Sequence, residues 1–288
     1  MEYLIHIAII LSIYSILSMG LNLILGYMGQ LSLTHAAFFG IGAYTIAIGA
    51  TRFHINFYLA LLIGMVISGL LATVIGPLLG RFKRDYYALA SLGTNVILFS
   101  IFLNWTNLTR GPLGIPGIDR PEIFGYIFRS NLSFLLLCLF FLYMTHTLLR
   151  KLLSTPFGLV IKAIREDEAV ASSFGYKTKK IKTITFIISA IFSTIAGGLL
   201  ASYITFIDPS TFDFNESIYF LAMVIIGGLA DLRGSILGTT VLVVLPEALR
   251  FLGLPSDVAA NLRQIFYGLA LILMMMFHPQ GFLGKYKM

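Results

Sequence analysis

The sequence predicts an all-α fold, a polytopic bundle of transmembrane helices, and three observations carry that prediction. Hydrophobic residues fill 58% of the 288 positions and charged residues only 11%, whereas a water-facing domain carries roughly 25% charged residues. Mean hydropathy is +0.90. The apolar residues fall in long runs, and the basic residues sit in the short segments between them. That arrangement orients a chain in a bilayer, and it argues against nucleic acid as the partner behind the net charge of +7.

A spanning helix needs about 20 mostly apolar residues. The candidate runs are 4–26, 31–51, 58–80, 86–105, 132–150, 183–207, 217–230, 235–252 and 261–278, which makes about eight or nine spans, some of them broken or re-entrant. Only Glu2 stands between the first methionine and the apolar stretch Tyr3 to Leu25, and no small-residue cleavage site follows it. That run is expected to be a retained span and not a signal peptide. The second run opens on Gln30-Leu31-Ser32-Leu33-Thr34-His35, and 217–230 is short and holds Gly227 and Gly228. Each of these two either crosses or turns back, and an irregular backbone at that depth needs protein or a water-filled cavity around it.

Two spans carry small residues at four-residue spacing: Gly64, Ser68, Ala72, Gly76 and Gly80 on the third, and Ala190, Thr194, Gly198 and Ser202 on the sixth. Lipid gives helices little hydrophobic reason to associate, so close backbone approach matters, and both stripes read as helix–helix seams. Cys138 lies in the apolar run Phe134 to Met144; as a lone cysteine it forms no internal disulfide and reads as a packing residue.

Lys and Arg decide sidedness. With the segment 151–182 cytoplasmic and all nine runs crossing, one face holds 14 basic residues and the other 6. The richer face is then cytoplasmic, with the C-terminus inside and the N-terminus outside. The two longest polar interruptions are 106–130, expected outside, and 151–182, expected inside. The whole chain, 1–288, reads as a single transmembrane domain with 151–182 as a loop within it.

That loop is the most informative stretch. Thr155 is placed to cap a helix whose first position is Pro156, where a missing N–H costs nothing. Phe157, Val160, Ile161 and Ile164 then repeat at helical spacing and form one apolar face, with Lys162, Arg165 and Glu166 off it. Gly175 is a plausible stop, before the basic run Lys177, Lys179, Lys180 and Lys182. A short amphipathic helix held between two spans is either a docking helix for a cytosolic partner, a segment lying on headgroups, or a solvated connector. The acidic members of Arg165-Glu166-Asp167-Glu168 disfavour an anionic lipid surface.

Polar residues within spans are candidates for a translocation path, because a lipid-facing charge costs roughly 2.5–3.5 kcal/mol. They are Asn22, Gln30, His35, Asn95, His146, Glu216, Asp231 and Glu247. Asn22 and Asn95 equally suit hydrogen bonds between helices, and Gln30 and His35 suit helix ends. Glu216, Asp231 and His146 are expected at the water interface. Glu247, following Pro246, is expected to pair with Arg250.

Several blocks carry a resemblance. Ala163 to Gly175 resembles the loop of ATP-binding-cassette (ABC) importer membrane subunits that docks on the ATPase, in the form found in the branched-chain amino-acid permease family (LivM-type subunit). Seven positions lead from Glu168 to Gly175, one more than in the general importer pattern. Gly20 to Tyr44 looks like that family's N-terminal signature, with Thr34 where a Gly is usual. Asn104-Trp105 with Gly111 to Ile118 looks like its external loop, with Arg110 where a small residue is usual. Ser217 to Gly234 and Pro246-Glu247 match its C-terminal third. The resemblance runs in register over nearly the whole chain.

The resemblance implies a permease subunit of an ATP-driven importer in a prokaryotic cytoplasmic (inner) membrane, moving leucine, isoleucine, valine or a related small polar solute by alternating access. Its implied partners are two cytosolic ATPases, a second membrane subunit that is homologous or identical, an extracytoplasmic substrate-binding protein and membrane lipid. Relatives by resemblance also handle urea or short amides. Within the chain it implies ATPase coupling through Arg165, Glu166, Asp167, Glu168 and Gly175, so that Glu168→Arg would uncouple transport without unfolding the protein. The path candidates are Asn22, Gln30, His35, Asn95 and Glu247. No catalytic residue, cofactor or metal is expected, and the chain carries no Walker-type phosphate loop. A membrane enzyme would need clustered His, Asp or Glu, and the five histidines are scattered. An ion-coupled secondary transporter would need acids in mid-span, which are nearly absent.

Overall fold

In the computed structural model the apolar runs become helices whose ends are set by local chemistry. The structure describes residues 2–82, 84–123, 126–250, 268–269, 272–273, 276–277 and 280–284, so most of the predicted span 261–278 lies outside the described residues. Helix α1 (Glu2–Asn22) runs on through a π-helical turn, Leu23–Tyr27. Helices α2 (His35–Phe53), α3 (Phe57–Leu79) and α4 (Arg84–Asn104) follow. The short α5 (Thr106–Thr109), β1 (Ile115–Pro116), β2 (Glu122–Ile123) and β3 (Tyr126–Ile127) make up much of the 106–130 interruption. Then come α6 (Asn131–Ser154), α7 (Pro156–Glu166), α8 (Glu168–Ser173) and α9 (Thr178–Ile204). The two-residue β4 (Phe206–Ile207), α10 (Phe214–Gly227) and α11 (Leu232–Arg250) follow.

Caps explain where several helices begin. Asn56 accepts from the Tyr58 N–H at 3.0 Å ahead of α3, and Ser130 accepts from the Ser133 N–H at 3.1 Å ahead of α6. Asp213 does the same for Glu216 ahead of α10 at 3.1 Å, and Asp231 for Arg233 ahead of α11 at 2.8 Å. Each side-chain oxygen satisfies an N–H that has no partner within its own helix. The expected span 31–51 starts late, at His35, because residues 28–34 run non-helical and mostly buried between α1 and α2. The all-α expectation holds apart from two-residue strands: β1 pairs antiparallel with β4, Ile115 opposite Ile207, and so ties the segment after α4 to the end of α9.

Six helices among the described residues are long and apolar enough to cross a membrane, and 214–227 and 232–245 are shorter apolar helices. Helix α9 stands at the centre: 78% of its most apolar window is buried, against 28% for α4. Around it, α3 turns Leu62, Val66, Leu70 and Val74 outward, a face suited to lipid and unsuited to water.

Both predicted seams form, and they meet. Gly64, Ser68, Ala72 and Gly76 of α3 are buried, with Gly64 against Thr194 and Gly76 against Thr183 of α9. On another side of α9 the backbones of α2 and α9 nearly touch: a Cβ placed on Gly197 would lie 1.8 Å from the Phe39 carbonyl oxygen, and one on Gly42 would lie 2.0 Å from that of Thr194. No other residue type fits at either position, and the four-residue spacing did not single either one out.

Candidate coupling element and polar interior

The loop 151–182 folds under one end of the bundle as two helices, not one. The predicted apolar face holds: Val160, Ile161 and Ile164 are buried and Phe157 half-buried, and Val160, Ile164 and Ala171 pack with Ile181 of α9 in a small cluster of their own. The break falls at Asp167, whose backbone is extended (φ −152°, ψ 110°) and whose Oδ1 accepts from the N–H groups of Ala169 and Val170 at 2.8 and 3.1 Å. A short acidic side chain competes for backbone N–H groups in this way, which ends α7 and caps α8. Thr155 occupies the cap position of α7, but its hydroxyl donates back to the Leu152 carbonyl at 2.6 Å and caps nothing. Gly175 is the predicted stop, left-handed at φ +86°, a conformation that costs glycine little.

The five predicted coupling residues point in different directions. Glu166 and Asp167 are exposed. Arg165 is half-buried, and its stem lies against Gly29, where an added Cβ would meet Arg165 Cγ at 2.8 Å. Lys162, one turn earlier, holds its ammonium 5.9 Å from the centre of the Tyr27 ring, within cation–π range. Helix α7 is thus seated on the π-helical end of α1. Glu168 pairs with Lys182 of α9 at 2.5 Å, and Lys182 is only 4% exposed. Sequence reading placed Lys182 in a basic run entering the membrane; its burial depends on a partner fourteen residues away and was not visible there.

Inside the bundle, four of the five path candidates lie around the junction of α1 with α2. Asn22 is a four-way clamp: the two hydrogens of its Nδ2 are shared among the carbonyls of Gly228 (3.3 Å) and Asp231 (2.9 Å) and Ser235 Oγ (2.7 Å), and its Oδ1 accepts from the Ala230 N–H at 3.1 Å. It therefore holds the α10–α11 turn against α1. Asn95 of α4 accepts from the Ala37 N–H at 3.0 Å, capping α2 from a neighbouring helix where Thr34 makes no cap bond. Its Nδ2 is buried and has no hydrogen-bond partner among the described residues.

His35 does not cap α2 but bridges it to α9. Its Nε2 lies 2.6 Å from Ser189 Oγ and its Nδ1 3.2 Å from Ser32 Oγ. The Ser189 hydroxyl donates its one hydrogen to the Gly20 carbonyl at 2.5 Å, so Nε2 carries the proton and Nδ1 accepts from Ser32. Gln30 is buried, with its Oε1 unpaired among the described residues. Glu247 stands apart at the far end of α11, where it accepts from the Tyr3 hydroxyl; the side chain of Arg250, its expected partner, lies outside the described residues.

The expectation for Glu216 is overturned. Glu216 does not lie in water: it is half-buried against α1 and accepts from the Tyr14 hydroxyl at 3.3 Å. The Asp213 cap starts α10 at Phe214, three residues before the predicted run 217–230, and so carries the Glu216 carboxylate into the bundle. Sequence reasoning also missed Ser32, Ser189 and Ser217, the last donating to the Leu33 carbonyl at 2.8 Å. Serines are common in membrane helices, so only the adjacency of Ser189 to the Ala190 seam hinted at its role.

Long apolar helices around a buried central one, a polar junction where one helix is interrupted, and an amphipathic pair seated under one end define a polytopic membrane protein of the permease kind. Residues 3–275 match the family described as branched-chain amino acid transport system / permease component, and the chain belongs to that family. It is 34% identical to the high-affinity branched-chain amino acid transport system permease protein LivM of Escherichia coli (strain K12), over 97% of this chain and 69% of that protein. A probable branched-chain amino acid transport permease protein LivM of Methanocaldococcus jannaschii is 25% identical over 78% of this chain and 68% of its own length. The permease LivH of Escherichia coli (strain K12) is 25% identical over 95% and 92%. No solved structure matches the chain.

Proposed function

We propose that this chain is a membrane-embedded permease subunit of an ATP-driven ABC importer of branched-chain amino acids in the cytoplasmic (inner) membrane. The observation that carries the reading is the 34% identity to LivM over 97% of the chain, joined to an amphipathic element at 156–173 whose acidic edge is exposed. In this reading the full chain is one transmembrane domain, half of a path shared with a second, homologous permease subunit. Two separate cytosolic ATPases hydrolyse ATP, and an external binding protein delivers the substrate.

The loop 151–182 and the C-terminus are cytoplasmic. The six long helices with the shorter α10 and α11 make eight spans, and the expected ninth, 261–278, lies mostly outside the described residues. Contacts support alternating directions: Tyr3 of α1 meets Glu247 of α11, and His6 of α1 meets Tyr203 of α9 at 2.7 Å, while Tyr27, Lys162 and Arg233 gather at the opposite end. The basic residues concentrate at that second end, as a cytoplasmic face requires.

ATPase closure pushes on α7 and α8. Because α7 sits on the π-helical end of α1 and α8 is tied to α9 through Glu168 and Lys182, the push reaches the two helices that flank the polar junction. Nucleotide binds the two ATPase states with different affinity, and that difference biases the switch. Asn22, Gln30, His35 and Asn95 form the hinge region of the path, and Glu247 lies toward its external mouth. The test is uptake of labelled leucine, isoleucine and valine in a strain lacking this gene. Loss of all three with restoration by the intact gene is expected; unchanged uptake removes the amino-acid assignment and makes urea and short amides the next substrates to measure.

A further inference from the structure

A cavity of about 630 Å³ opens beneath the bundle at the end that carries α7. Three cations converge on it from three elements: Arg150 from near the C-terminal end of α6, Lys162 from α7 and Arg233 from the first turn of α11. His146, Tyr27 and Ser154 add to its polar wall, and Asp231 is the one carboxylate among its described lining residues. Asp231 Oδ1 already accepts from the Arg233 and Gly234 N–H groups at 2.8 and 3.2 Å. The described residues show one ion pair, Lys182–Glu168, so none of the three cavity cations is paired with a carboxylate among them. Basic residues at helix ends ordinarily splay into water, whereas these share one concave site, where like charges repel unless an anion sits between them. Arg beside Lys also presents the planar fork and point charge that together suit phosphate oxygens.

We propose that this pocket binds a phosphate-bearing anion, supplied either by the headgroup of an anionic phospholipid or by a soluble phosphate. The bound anion bridges Lys162 to Arg150 and Arg233 and so fastens α7 to α6 and to the α10–α11 turn that Asn22 clamps. The lipid source rests on the sidedness proposed above, since it needs this end of the bundle at the inner leaflet. The binding itself does not depend on the transported substrate.

The test uses the full chain purified in detergent, as wild type, as Lys162→Gln/Arg233→Gln, and as Lys179→Gln/Lys180→Gln, which removes two exposed charges from the same face. One arm incubates each with phosphatidylglycerol in phosphatidylcholine micelles and reads retained phosphatidylglycerol by native mass spectrometry. The other reads inorganic phosphate binding by equilibrium dialysis. Wild type and the control variant are expected to bind in one arm, and the pocket variant about tenfold or more weaker there, as the loss of charge-assisted hydrogen bonds implies. Binding in the lipid arm assigns a headgroup, and binding in the phosphate arm a soluble anion. Should the double variant aggregate, Arg150→Gln, whose side chain is exposed, serves in its place. The proposal fails if wild type binds neither probe, or if the pocket variant binds as well as wild type. It also fails if the control variant loses as much, because net charge alone would then explain the result. Leucine uptake by the wild-type transporter is a separate readout, so this failure leaves the permease reading standing.

Discussion

Lys182 shows how a single side chain changes the reading of its neighbours. Its side chain is 4% exposed, and its ammonium sits 2.5 Å from the carboxylate of Glu168, whose side chain is 32% exposed. Removing one partner of such a pair strands the other charge away from water, which costs more than the pair itself contributes. Glu168→Gln is therefore expected to destabilise the protein by about 1–3 kcal/mol, read as a lower Tm in detergent, and Lys182→Met in the same chain is expected to recover most of the loss. If the two changes add independently, the pair is not coupled and this account of Lys182 is wrong. The expected clean uncoupler Glu168→Arg is corrected by the same contact, because an arginine there would face Lys182 and disturb packing before it touched any ATPase.

At the scale of elements, the α7–α8 pair is a lever with a defined break. The carboxylate suited to an uncoupling test is Glu166, exposed at the end of α7 and outside the Glu168–Lys182 pair. Glu166→Arg is expected to keep the Tm and membrane insertion of the wild type while uptake falls; normal uptake and normal ATPase stimulation would show that the ATPases do not dock on this edge. Asp167→Ala removes the side-chain cap at the start of α8, worth about 1 kcal/mol. Hydrogen exchange should then quicken at 168–174 and stay unchanged in α9, and a uniform change across both would point to global destabilisation instead. The apolar face of α7 was legible because its period of 3.6 residues is written in Phe157, Val160, Ile161 and Ile164. The break was not, since Asp167 reads in sequence as one member of a solvated acidic cluster.

For the whole molecule, the decisive contact is the close approach of α2 and α9. Gly197→Val would drive its Cβ into the Phe39 carbonyl, 1.8 Å from the position it must occupy, and backbone on a central helix cannot step aside cheaply. Loss of folded protein after extraction is expected, with size-exclusion chromatography as the measure, whereas Gly93→Val on α4, where an added Cβ meets nothing within 4 Å, is expected to be tolerated. Equal yields from the two would mean that the α2–α9 seam does not hold the bundle together.

The amino-acid sequence by itself determined what local patterns can determine. Run length and composition mark the helices, the distribution of Lys and Arg marks a face, small residues at four-residue spacing mark seams, and apolar periodicity marks the side on which α7 docks. Tertiary structure alone decided which helix is central, that Asn22 clamps a turn more than two hundred positions away, that His35 meets Ser189, and that Glu168 finds Lys182. The reason is physical: a period or a cap needs only neighbours along the chain, whereas a buried hydrogen bond or ion pair exists only once backbones have approached and water has left. Three cations scattered at 150, 162 and 233 look like ordinary charges between spans in sequence, and they become a pocket only because the end of α6, the helix α7 and the start of α11 meet at the same place.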